Sequence, residues 1–115
     1  MNLLDTKTAL ENKEQDLLEK LYTKAGVKDN LKRYEAVLQG FVREFGEKDV
    51  KLFSSPGRTE ISGNHTDHNN GKVLGGSINL DCVAAAADNG SNIVNIVSES
   101  FSQKFSIDIN DIKPG

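Results

Sequence analysis

The sequence predicts an α+β fold, a pair of N-terminal helices followed by a mostly antiparallel sheet, and three observations carry that expectation. Apolar residues recur every three or four positions through the first 45 residues, the spacing of one helical face. After residue 73 the alternation changes to period two, the spacing of half-buried strands. Between the strand candidates stands Asp88-Asn89-Gly90-Ser91, whose Asn-Gly pair favours the positive φ of tight turns. Helices on one side of an antiparallel sheet bury both kinds of face.

Each element has its own local justification. Thr8-Ala9-Leu10-Glu11 has the form of a capping box, with Leu10, Leu17, Leu18 and Leu21 on the face that follows. Gly26 is the expected stop of this first helix. In the second helix Leu31, Tyr34, Val37, Leu38, Phe41, Val42 and Phe45 form the stripe, Asp29 or Asn30 caps the start, and Gly46 ends it. A stripe at this spacing is ordinarily core, so these helices are read as scaffold. Val50 to Ser54 is a short strand candidate, and Pro56-Gly57 calls for a turn just after it. Val73 to Ala87 places Ile78, Leu80, Cys82, Ala84 and Ala86 on one strand face. The 88–91 turn then returns the chain through Asn92 to Glu99, and Phe105, Ile107 and Ile109 alternate on a further strand before Lys113-Pro114-Gly115.

Composition narrows the function classes. A chain of 115 residues fits one domain or part of one and buries about 65% of its unfolded surface. With 37% hydrophobic residues and a net charge of −3, it has no general attraction for nucleic acid or an anionic membrane. No apolar run approaches the ~20 residues that cross a bilayer. The N-terminus has acids and no apolar h-region, so no secretion signal is expected. Cys82, the single cysteine, has no partner in the chain, which suits a reducing, cytoplasmic setting.

The chemistry concentrates between Ser54 and Leu74, SSPGRTEISGNHTDHNNGKVL, where Arg58, Glu60, Asn64, His65, Asp67 and His68 fall in a segment broken by glycines. A sugar presents hydroxyls that both donate and accept, so a sugar site needs carboxylates, amides and imidazoles in a fixed array. Ionised Asp67 accepts two hydrogen bonds, Asn64 donates and accepts, and His65 orients through either nitrogen. Asp67 also fits an Asx turn that closes the loop, and Arg58 also fits a structural pair with Glu60. A metal reading of His65, Asp67 and His68 fails for want of further ligands, so no metal is expected. Gly75-Gly76 precedes a strand instead of opening a helix, so it is no phosphate cradle.

Pro56-Gly57-Arg58, Gly63, His65-Thr66-Asp67, Gly71, Val73-Leu74 and Asn79-Leu80 resemble the N-terminal signature of the galactokinases, in the GHMP sugar-kinase superfamily. That signature usually runs PGR-x-N-x-I-G-E-H-x-D-Y-x-x-G-x-V-L-P. The resemblance extends from about Phe41 to Phe101. Glu60, Ser62, Asn64 and His68 depart from it, standing where Asn, an aliphatic residue, Glu and Tyr are usual.

The resemblance implies a helical segment at 1–48 and the incomplete start of a GHMP-kinase N-terminal domain at 49–115. It assigns Arg58 to charge stabilisation on the transferred phosphoryl group, and Asn64, His65, Thr66 and Asp67 to the sugar, Thr66 through its backbone. Ser98, in Ser98-x-x-Phe101, resembles a segment near the nucleotide. The implied reaction is phosphorylation of the anomeric hydroxyl of galactose from ATP with Mg2+. The family's phosphate loop, G-x-G-L-S-S-S-A, and its general-base aspartate have no counterpart in this sequence, so the chain alone is expected to be inactive and to self-associate. The Asn64 and His68 departures leave room for another sugar, N-acetylgalactosamine or galacturonate. A non-catalytic, galactokinase-like sugar sensor is the reading from a different class.

Overall fold

A computed structural model describes residues 15–63 and 66–112 of the chain. Within it one long helix, α1 (Gln15–Phe45), precedes four strands, β1 (Lys51–Ser62), β2 (Leu74–Ala86), β3 (Ile93–Ser98) and β4 (Gln103–Asp108). The α+β class holds. The pairing is antiparallel throughout, but it forms two separate two-stranded ribbons, β1–β2 and β3–β4, instead of one sheet. The expected capping box at Thr8–Glu11, Leu10 and the 113–115 ending lie outside the described residues.

The expected helical pair is present, as two helices run together across a kink within α1. Its break falls at Thr23 (φ 63°, ψ 161°), three residues before Gly26. Gly26 stays helical, with the Asn30 side-chain amide donating to its carbonyl at 2.9 Å. Asp29 and Asn30 are therefore interior helix residues, not caps, and Asp29 pairs instead with Lys32. The stop at Gly46 is as expected: its φ is +76°, and its N–H donates to the Val42 carbonyl at 2.9 Å.

The helical stripe makes the core. Leu18, Val27, Tyr34 and Leu38 are buried with Val50, and Tyr22, Leu31, Phe41, Leu52, Val83 and Ala85 pack around them. Leu17 and Leu21, read on the same face as Leu18, are about half exposed while Leu18 is buried.

The turn expected at Pro56-Gly57 is a bulge inside a longer strand. Pro56 pairs with Asp81 and Arg58 with Ser77, so Gly57 alone stands opposite Ile78, Asn79 and Leu80. A two-stranded ribbon has only edge strands, where a proline costs no ladder bond that matters. A Cβ on Gly57 would meet Ile78 and the Leu80 carbonyl oxygen at 3.2 Å, so the bulge closes around a residue with no side chain.

The bulge also overturns the expected face of β2. Leu80, Cys82, Ala84 and Ala86 are exposed, while Asp81, Val83 and Ala85 face the helix. The alternation of covered positions on β2 breaks opposite Gly57, passing from Gly76 and Ile78 to Asp81, Val83 and Ala85, and a period-two reading carried straight through that break puts the second half on the wrong face.

The 88–91 segment turns as expected but joins no hairpin. Asp88 Oδ1 accepts from the Gly90 N–H at 2.7 Å, Asn89 Oδ1 accepts from the Ser91 N–H at 3.0 Å, and Gly90 sits at φ +66°. These two Asx turns carry the chain away from β2, and β3 takes β4 as its partner. Ile109 opens a short 3-10 turn instead of extending the last strand. The second ribbon is held to the end of α1 by ion pairs, Arg43 to Glu99 at 2.6 Å and Lys104 to Glu44. Exposed pairs of this kind hold weakly.

Much apolar surface stays uncovered: Ile93, Val94, Ile96, Phe105 and Ile107 are all more than 40% exposed. The radius of gyration is 17.5 Å, against about 13 Å for a compact domain of this length. The 115-residue chain on its own is accordingly expected to self-associate through its open ribbon edges and apolar faces. Light scattering checks this, and a clean monomer with a sharp, high melting transition contradicts it.

Candidate functional site

β1 carries Arg58 past the Gly57 bulge on an exposed stretch of strand. Thr59 and Glu60 stand opposite Gly76 and Gly75, so β2 sends no side chain across that part of the ribbon. The Arg58 side chain is exposed on this stretch.

Beyond Ser62 the chain turns at Gly63 (φ +115°) and closes a tight loop centred on Thr66. The Thr66 hydroxyl donates to the Gly63 carbonyl at 2.7 Å, and its own carbonyl accepts from the Asn69 N–H at 3.0 Å and the Gly71 N–H at 2.8 Å. Both polar ends of Thr66 are thus spent inside the loop. Asp67–Asn69 form a single 3-10 turn within it, and His68 Nε2 lies 3.2 Å from the Asn69 amide nitrogen. Asn64 and His65 fall outside the described residues, and of Asp67 only the backbone is described. Ser98 is not brought to this loop: it ends β3, half-buried, in the other ribbon.

The polar centre that periodicity missed is Asp81. Its side chain is 5% exposed and takes hydrogen bonds from the Tyr22 hydroxyl, from Ser54 Oγ at 2.6 Å and from Arg33 Nη1 at 2.8 Å. Arg33 Nη2 also donates to the Asp81 carbonyl oxygen at 3.0 Å, and the Tyr34 hydroxyl lies 3.0 Å from that of Tyr22. The signal available was an acid set inside the otherwise apolar run from Leu80 to Ala87, where an unpaired carboxylate is rarely tolerated.

Burial pushes the Asp81 carboxyl up, but the bonds from Ser54, Tyr22 and Arg33 outweigh it and hold the group below its ordinary 3.8. Burial and the bond to Asp81 push the Tyr22 hydroxyl far above its ordinary value, so the tyrosine remains a donor. The sign for stability follows: a folded carboxyl held below its unfolded value stabilises fully above about pH 4 and loses that contribution as pH falls through the folded value. Acid is expected to loosen the helix from the β1–β2 ribbon. Tyr22 and Tyr34 are the only tyrosines and there is no tryptophan, so near-UV circular dichroism reads this cluster directly. An Asp81→Asn variant should lose that acid transition, and an unchanged transition contradicts the assignment.

A cleft of about 570 Å3, lined by Lys48, Asp49, Lys51, Phe53, Ala86, Ala87 and Asp88, lies at the opposite end of the ribbon from the loop. Among the described residues no group of three His, Cys, Asp or Glu is placed to hold a metal ion. No helix among them is long and apolar enough to cross a membrane.

Comparison with known proteins converges on the same stretch. The family model described as the galactokinase galactose-binding signature matches residues 39–88. A galactokinase of Clostridium tetani is 34% identical over 73 residues, covering 64% of this chain and 19% of that protein. One from Lacticaseibacillus casei is 37% identical over the same length and shares. One from Bacillus subtilis is 36% identical over 62 residues, 53% of this chain and 16% of that protein. The chain thus spans about a fifth of the length of these curated relatives. No solved structure matches it. The segment that holds the β1–β2 ribbon, Arg58 and the Thr66-centred loop is where this chain is similar to galactokinases: residues 39–88 match the galactose-binding signature of that family.

Proposed function

We propose that this chain is the N-terminal, sugar-binding part of a galactokinase of the GHMP superfamily, which phosphorylates the anomeric hydroxyl of galactose from ATP with Mg2+. The observation that carries the reading is the galactose-binding signature over residues 39–88, with Arg58 exposed on the strand that leads into its loop. Residues 1–48 act as the helical scaffold, and 49–115 begin the kinase domain. Asn64, His65 and Asp67 hold the sugar hydroxyls, with Thr66 shaping the loop that presents them. Arg58 meets the negative charge that develops on the transferred phosphoryl oxygens.

The described residues offer no metal cluster, and the sequence has no glycine-rich turn opening a helix, so the Mg2+ and phosphate contacts belong to other parts of the protein. This chain contributes sugar binding and charge stabilisation, and by itself turns nothing over. Ser98 is kept as a residue on the nucleotide side. The setting is cytoplasmic, in keeping with one exposed free cysteine.

Asn64 is the reason to test a second sugar. Glutamate can only accept when ionised, whereas Asn also donates and so accommodates a carbonyl or carboxylate on the substrate. A mismatched buried donor or acceptor costs about 1–3 kcal/mol, roughly five- to over a hundredfold in specificity. The test is kcat/KM of the intact protein for galactose, N-acetylgalactosamine and galacturonate with Mg-ATP, in wild type and Asn64→Glu. Galactose should be preferred in both, and the 115-residue chain should give no sugar phosphate. A wild type preferring either modified sugar by about tenfold or more replaces galactose as the substrate. No turnover of any sugar favours the sensor.

A further inference from the structure

Asp81 is gripped from two elements at one point of the ribbon. Tyr22 and Arg33 reach it from α1, Ser54 reaches it from β1, and Arg33 holds its backbone carbonyl as well. That point is the last regular pair before the bulge: Asp81 stands opposite Pro56, Gly57 follows, and Arg58 is the next paired residue on β1. Across the bulge β2 has two residues more than β1 requires. A ladder alone does not hold such a surplus in place, because passing it along the strands keeps every side chain on its own face. The glycine with Ile78 and Leu80 closed around it fixes the far side of the bulge. The near side is tied down at Asp81, the residue paired with Pro56.

We propose that Asp81 is a positioning residue, pinning the β1–β2 register at the Gly57 bulge and thereby fixing the place from which Arg58 projects. The inference rests on the kinase reading for what Arg58 does there, but the pinning itself is a property of the ribbon. Its cause is spatial: the carboxylate joins helix, β1 and β2 within one residue of the irregularity, and bulges beside functional residues re-aim side chains.

Two measurements on the intact protein separate this role from general support of the fold. In amide hydrogen exchange, Asp81→Asn should speed exchange at residues 57–60 by about tenfold or more while amides around Leu38 keep their protection. In kinetics, Asp81→Asn should lower kcat by about tenfold with the galactose KM within about threefold, and should add nothing, within about twofold, on top of Arg58→Ala. Losses that multiply in the double variant, or a change confined to KM, overturn the link to Arg58. Unchanged exchange at 57–60 overturns the pinning, and it does so even if the protein phosphorylates no sugar, an outcome that instead removes the kinase reading. Should Asp81→Asn not fold, Ser54→Ala removes a single donor, and the same pattern is expected at smaller amplitude. Uniformly faster exchange across α1 and both strands in that variant reduces the cluster to general support.

Discussion

Arg58→Lys in the intact protein is expected to lower kcat by about 10²–10³-fold while changing sugar affinity far less, the loss that follows removal of one preorganised stabiliser. Arg58 lies on a strand, so its Cα is held by the ladder to Ser77, and its side chain is exposed. Lysine keeps the charge but loses the planar fork that addresses two phosphoryl oxygens at once. It also gains freedom at the end of a flexible stem, so the charge is no longer fixed where it develops. Steady-state kcat and KM for galactose, with binding measured separately, check the expectation. An unchanged kcat with weakened sugar affinity would move Arg58 from charge stabilisation to binding.

The parts of this fold legible in the sequence were those set by local rules. The second helical stripe from Leu31 to Phe45 is wholly or partly buried, and Gly46 stops it, because burial of a 3.6-period face and a left-handed C-terminal glycine both depend on neighbours in sequence. What failed depended on contacts across the chain. Gly26 looked like a stop, yet the break fell at Thr23, beside a Tyr22 whose hydroxyl is tied to Asp81, 59 residues away. The face of β2 was misread for the same reason, since only pairing with β1 reveals the break in alternation opposite Gly57. Asn89-Gly90 gave the local geometry, but a turn does not say which strand the chain will join next.

The candidate site shows the same division. The resemblance to the family signature singled out Arg58 and the glycines of the loop, because such a signature keeps its intervals along the backbone. It could not reveal that the Thr66 hydroxyl would be consumed at Gly63, nor that a carboxylate absent from the signature would anchor the strand beside Arg58. A motif records which residues meet a ligand, and leaves unmarked those that hold the motif in place.

Gly71→Ala is expected to abolish sugar binding with little effect on the helix–ribbon core. Gly71 sits at the neck of the loop, where its N–H donates to the Thr66 carbonyl at 2.8 Å. A Cβ built there would stand 2.6 Å from that carbonyl oxygen and 2.5 Å from Thr66 Cβ, and would also overlap the Thr66 hydroxyl. The oxygen is backbone and its neighbours are bonded to Asn69 and Gly63, so no rotation of a side chain relieves the overlap. Overpacking of this kind costs about 1–3 kcal/mol. Here the cost falls on the loop and not on the helix–ribbon core, so the loop opens before the core yields. Asn64, His65 and Asp67, the residues proposed to hold the sugar, lie within the segment of sequence that Gly63 and Gly71 bracket. The comparison variant is Gly75→Ala, whose Cβ would meet nothing closer than the Thr59 carbonyl oxygen at 3.4 Å. Galactose binding by titration calorimetry should be lost in Gly71→Ala and kept in Gly75→Ala, with near-UV signal from Tyr22 and Tyr34 kept in both. Equal binding by the two variants would mean that the loop's closure around Thr66 is irrelevant to the sugar.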